Sequence, residues 1–230
     1  MVTQHPSRTI RPEHRVPALI AVVAALLLYS FLPFDLLSVQ RYVVVVTCAL
    51  LLVPLIVVNP RRFNRESRWS RRASLGLTFL LLAANQLTLV QLIVLLVSGV
   101  HEGPTLLLAA LEVWLTNVIA FALVYWDIDR GGAIKRAMSP RDELPPADFR
   151  FPQDEDHDAV TEVAKRSSIG SDWVPQFVDY FYFSLSNSMA FSPTDTMPLS
   201  HRAKLLMGLE SFAGFIILAL VIARAVSLIG

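Results

Sequence analysis

Residues 179–224 read DYFYFSLSNSMAFSPTDTMPLSHRAKLLMGLESFAGFIILALVIAR. They divide into a short amphipathic segment, a non-helical elbow and one long apolar helix. The elbow follows from Ser192-Pro193. Proline has a fixed φ and no N–H, and it drives the residue before it to extended angles, so no helix runs through this pair. Ser184, Ser186, Asn187 and Ser188 crowd the end of the amphipathic segment. So polar a surface cannot face lipid along its whole length; it must line protein or water.

The composition places this stretch in a membrane. Hydrophobic residues make up 54% of the 230, charged residues 17%, and mean hydropathy is +0.52. A soluble domain carries about 25% charged residues. The net charge of +1 points to no partner. Cys48, the single cysteine, lies in an apolar run and reads as a packing thiol.

A crossing helix needs about 20 apolar residues. After a basic tail over 1–16, candidate spans fall at 17–37, 42–59, 75–100 and 105–126, together a four-helix membrane domain. Residues 127–172 are charged and proline-bearing. They form an extramembrane loop of about 46 residues, either a small subdomain or a floppy tether. Within it, D-F-R-F-P-Q at 148–153 has two phenylalanines to dock on the membrane domain. The module at 173–230 completes the chain: a short helix over 174–191, an elbow over 192–200 and a last helix over 201–228.

Charge orients these spans. Arg61, Arg62, Arg65, Arg68, Arg71 and Arg72 crowd one loop, and Arg8, Arg11 and Arg15 lie in the tail. Such clusters mark the cytoplasmic side. With both inside, a segment dipping in before the elbow would enter from the cytoplasm; either 173–192 crosses fully as a sixth span, or the charge reading fails and the N-terminus lies outside. Crossing is the arrangement preferred here, since about 19 helical residues rise roughly 28 Å.

Ionisable or amide groups inside spans are candidate sites, because burying a charge there costs about 2.5–3.5 kcal/mol. Glu112, Asn117 and Glu210 qualify, with Gly214 one turn beyond Glu210 as a hinge or close helix contact. Asn85, Gln86 and Thr88 have the same choice between function and interhelical hydrogen bonding. At the elbow the candidates are Asn187, Ser188, Ala190, Phe191, Ser192, Pro193, Thr194 and Asp195. They line a path, or they cap the amides of a turn. No nucleophile–base pair, metal-ligand spacing, phosphate-binding glycine loop or nucleic-acid signature is present, so no catalytic, cofactor or metal site is assigned and the chain is not read as an enzyme.

Two resemblances bear on function. Tyr182-Phe183-Ser184, Asp195, Leu209-Glu210, Gly214, Leu218-Ala219 and Ile222-Ala223-Arg224 keep the spacing of the pore module of bacterial two-transmembrane potassium channels: pore helix, filter loop, inner helix. The run A-F-S-P-T-D-T-M-P-L-S at 190–200, with W-L-T-N and Y-W-D-I-D-R-G-G inside 114–132, resembles a set of bacterial membrane proteins without assigned function. The resemblance implies an all-α integral membrane protein with five transmembrane helices plus a pore-like short segment, re-entrant or a sixth span. It implies a multi-pass protein of the inner (plasma) membrane that forms a homo-oligomer, a tetramer by analogy, passing an inorganic cation. One departure is physical. Met189–Thr194 replaces the glycine-bearing filter, and a ladder of axial carbonyls needs backbone angles that glycine supplies. Potassium selectivity is therefore not expected. The alternatives are a non-conducting scaffold or sensor, and a proton-coupled transporter using Glu112 or Glu210.

Overall fold

The computed structural model describes residues 12–32, 38–59, 67–98, 103–155, 160–189 and 195–229. Its pillar is α4, Gly103–Ile128, whose apolar stretch is 67% buried. Around it stand α1 (Val16–Phe31), α3 (Arg68–Ser98), α7 (Phe177–Ser188) and α8 (His201–Ile229), with α2 (Ser38–Val58) packed on α3 and α1. Two short helices, α5 (Ala133–Met138) and α6 (Thr161–Ala164), belong to the segment between α4 and α7. Strand β1 (Phe149–Arg150) pairs antiparallel with β2 (Met197–Pro198), Phe149 opposite Pro198 and Arg150 opposite Met197.

Among the described residues four helices are long and apolar enough to cross a membrane: α2, α3, α4 and α8. They mark the chain as a helical membrane protein. The first helix is shorter than the sequence suggests, 16 residues ending at Phe31 rather than 37. Leu32 precedes Pro33 and has turned to ψ 126°, the extended angle a following proline imposes. By contrast α3 begins at Arg68, well before 75. The Ser67 hydroxyl accepts the Ser70 amide at 3.0 Å, an N-cap that carries the helix back over Arg68, Arg71 and Arg72.

Side-chain contacts fix the direction of each helix. Arg15, at the start of α1, donates to the carbonyls of Leu55 and Asn59 at the end of α2. Arg71, at the start of α3, donates to Asp127 at the end of α4. Glu13 accepts from Trp126 Nε1 at 3.1 Å and from the Phe177 amide at 2.7 Å. Arg202, at the start of α8, reaches Asp148. These groups all lie at one end of the bundle, capped by residues 129–155 and 160–176.

The cap is built, not floppy. The chain leaves α4 through three left-handed residues, Arg130 (φ 49°), Gly131 (φ 81°) and Gly132 (φ 90°). The φ of Gly132 calls for glycine, and a Cβ there would also push aside the Arg71 guanidinium, 1.9 Å away. Alternation in the short strand then buries Phe149 and Phe151 and exposes Arg150. Phe149 packs 5.0 Å from both Tyr125 and Phe183, and Phe151 5.3 Å from Tyr180. Each buried phenylalanine contributes about 1.5–3 kcal/mol.

Candidate functional site: the half-helix and its buried carboxyl

Three elements position α7. Its start is capped by Asp179, whose Oδ2 accepts the Gln176 amide at 2.7 Å, and an acid there also suits the helix dipole. Its end lies deep in the bundle. Ser188 meets Gly214, thirteen residues into α8 and so about 20 Å from that helix's start. A Cβ on Gly214 would come within 2.2 Å of the Ser188 carbonyl oxygen, so this glycine is a close contact between helices. Nine residues after Ser188, Met197 is paired with Arg150 back at the capped end. The chain therefore enters from the capped end, stops midway and returns.

The segment expected to supply a sixth span is shorter than its sequence suggests. The helix has 12 residues, not the 18 of 174–191, and rises about 18 Å, short of a hydrocarbon core of about 30 Å. Residues 174–176 stay outside it. Of the elbow candidates, Ala190, Phe191, Ser192, Pro193 and Thr194 lie outside the described residues. Asp195 is exposed.

The inner face of α7 is polar because of what it meets. Glu210 is fully buried between α4, α7 and α8. Its Oε2 accepts from Tyr125 Oη at 2.7 Å and Asn187 Nδ2 at 2.6 Å, and its Oε1 is hydrogen-bonded to the Ser184 hydroxyl. Ser184 Oγ also lies 2.8 Å from the Val118 carbonyl oxygen. Asn187 Nδ2 donates in addition to the Met207 carbonyl at 3.1 Å, and Ser211 donates to Asn187 Oδ1 at 3.0 Å. Beyond the tip of α7 an apolar cleft of about 290 Å³ opens between Leu107, Leu111, Trp114, Met189, Leu218 and Val221.

The structure thus unites Asn187 with Glu210 and Ser188 with Gly214, and leaves the other intramembrane candidates apart. Asn117 accepts from Asn85 at 2.9 Å and from Gln86 at 2.7 Å, which ties α3 to α4. Glu112 is half-buried toward the far end, within electrostatic reach of Arg41, and its Oε2 is buried with no hydrogen-bond donor among the described residues. Among those residues no group of three or more His, Cys, Asp or Glu is arranged to hold a metal ion.

Sequence reasoning missed the network at the root of α7. Asp129 is fully buried. It accepts from Tyr180 Oη at 2.5 Å and from the Asp148 amide at 2.7 Å. Asp148 in turn accepts from Arg202 Nε at 2.7 Å, Arg202 Nη2 at 2.5 Å and Ser200 Oγ at 2.5 Å. Arg136, 1% exposed, donates to the carbonyls of Trp126, Asp129 and Pro175 and stacks 4.9 Å from the Tyr180 ring. The signal was present in Y-W-D-I-D-R-G-G. Tyr125 and Asp129, four apart, share the helix face that meets α7.

Two consequences are measurable. Asp148→Ala removes the clasp that pins β2 and the start of α8. Because Arg202 is 61% exposed, the loss is expected to be about 1–2 kcal/mol. Faster amide exchange over 148–151 and 196–200, with α3 unchanged, is the expected readout. The second concerns pH. Burial raises the Glu13 carboxyl above its usual 4.5, offset in part by Arg136 and the bonds from Phe177 and Trp126. Burial raises Asp179 too, against the Gln176 amide and Arg136. A carboxyl with a raised folded-state pKa supports folding most below its unfolded value, and that support is lost as pH rises to the folded value. Cap stability is therefore expected to fall as pH climbs out of the ordinary carboxylate range, and Glu13→Gln to flatten part of that slope in melts taken at several pH values.

No family model matches the chain, and neither a curated protein nor a solved structure does.

Proposed function

We propose that this protein is a cation-conducting membrane protein of the pore-loop kind, working as a homo-oligomer and not selective for potassium. The observation that carries the reading is the half-helix. The C-terminal end of α7 stops about midway along α8, and the chain then returns to the end it came from. The end of such a helix carries partial negative charge, and half-helix C-termini and unwound carbonyls at mid-depth are where membrane proteins hold cations. In this reading α1, α2, α3, α4 and α8 cross the bilayer and α7 re-enters. The arginine-rich capped end faces the cytoplasm of a bacterial inner membrane. The module then opens toward the cytoplasm, the reverse of a potassium channel. Asn187 and Glu210 brace α7. Leu205, Leu209, Phe212 and Phe215 leave an apolar face on α8 for a neighbouring copy, four by resemblance.

Reconstitution into planar bilayers tests this. The expected result is a cation current that discriminates little between sodium and potassium. Silence at every voltage and pH would sink the proposal, and a monomer in mild detergent would favour a non-conducting scaffold.

A further inference from the structure

The groups around Glu210 contain one hydrogen too few for an ionised carboxylate. Ser184 has a single hydroxyl hydrogen. Its Oγ is hydrogen-bonded to Glu210 Oε1 and lies 2.8 Å from the Val118 carbonyl oxygen. A carbonyl oxygen cannot donate. If Ser184 gives its hydrogen to Glu210, two oxygens face each other at Val118 with only lone pairs between them. If Ser184 gives it to Val118, the hydrogen between Ser184 and Glu210 must come from the carboxyl. The other oxygen is already served: Tyr125 Oη and Asn187 Nδ2 both donate to Oε2. Asn187 has its second hydrogen on the Met207 carbonyl, and its own Oδ1 accepts from Ser211. Every contact of the carboxyl and of the Ser184 hydroxyl is satisfied at once by a neutral acid, with Oε1–H donating to Ser184 and Ser184 donating to Val118.

The surroundings agree. Around the carboxyl stand Tyr125 and the Val118 carbonyl from α4, Ser184 and Asn187 from α7, and Ser211 and the Met207 carbonyl from α8 itself. Among the described residues no Lys, Arg or His pairs with it, and Tyr125 is the single titratable group bonded to it. An isolated carboxylate in such a site neutralises instead of staying charged.

We infer that Glu210 is a proton-binding site, occupied in the folded protein. The bound proton closes a chain of hydrogen bonds from α8 through Ser184 of α7 to the backbone of α4, so its loss unlinks the half-helix from the pillar. This holds whether or not the protein conducts.

Infrared spectroscopy of the full-length protein in lipid nanodiscs tests the assignment. The wild type at neutral pH is expected to show a protonated-carboxyl C=O band that shifts in D₂O. Glu210→Gln should delete that band and fold as the wild type does, since a primary amide can donate to Ser184 and accept from Tyr125. Ser184→Ala should move the band to higher frequency, because the acid loses its acceptor. A folded Glu210→Gln protein whose protonated-carboxyl bands equal those of the wild type overturns the inference. Should Glu210→Gln fail to fold, Ser184→Ala decides alone, and a spectrum it leaves unmoved counts against the proton.

Discussion

Replacing Arg136 by methionine is expected to cost about 3–5 kcal/mol, the loss typical of breaking a buried pair by removing one partner. Methionine fills much of the same volume but supplies no donors. The carbonyls of Trp126, Asp129 and Pro175 would each lose a hydrogen bond, and Glu13, 3.8 Å away, would lose its cation. For a chain of this length the loss corresponds to about 10 °C in melting temperature. Lysine should recover little, because a point charge cannot serve three carbonyls in a planar fork. Adding Glu13→Gln to Arg136→Met should cost less than the sum of the two, since the buried carboxylate left alone is then gone. A loss below 1 kcal/mol for Arg136→Met would show that the cap does not depend on this residue.

Gly214→Ala is the second large effect. The added methyl would sit 2.2 Å from the Ser188 carbonyl oxygen and 3.1 Å from its carbon. Both atoms are backbone, so no side chain can swing aside. Either α7 lifts off α8 or the two helices move apart, at an expected cost of about 1–3 kcal/mol. The shift lands on the tip of α7, so the currents proposed above should fall more steeply than stability does. Gly208 is the control. A Cβ there meets nothing within 4 Å in the same chain, so Gly208→Ala should leave the stability of the protomer intact. Equal stability of the two variants would mean that the contact at Gly214 is not close.

The sequence announces its long helices because about 20 apolar residues in a row have few other uses. It also announces a close approach at Gly214. It does not announce where α7 stops. Y-F-Y-F-S-L-S-N-S is helical in pattern throughout, and what decides its depth is Glu210, twenty-three to twenty-six residues further on. The cap is legible only in part: the two phenylalanines of D-F-R-F-P-Q offer themselves for docking and do dock, but its polar frame is hidden for the same reason. A polar, proline-bearing stretch looks like a tether unless the partners of its buried charges are known, and those of Asp129, Arg136 and Asp148 lie as far as 54 residues away. Glu112 and Asn117 read alike as intramembrane polar groups. Only neighbours separate them: Asn117 faces two amides of α3, whereas Glu112 lies half-exposed near Arg41.

The pairing of β1 with β2 has a consequence for how the molecule is made. Phe149 and Pro198 are partners across almost fifty residues, so the clasp cannot close until α7 and the elbow have both been synthesised. Ser184 finds the Val118 carbonyl on α4, but the acceptors of Asn187, the Met207 carbonyl and Glu210, arrive only with α8. A nascent chain halted before His201 would hold α7 with the Asn187 amide not yet served by α8. Docking of the half-helix is thus one of the last events of folding, coupled to the arrival of α8, and a chain that loses α8 loses the seat of α7 with it.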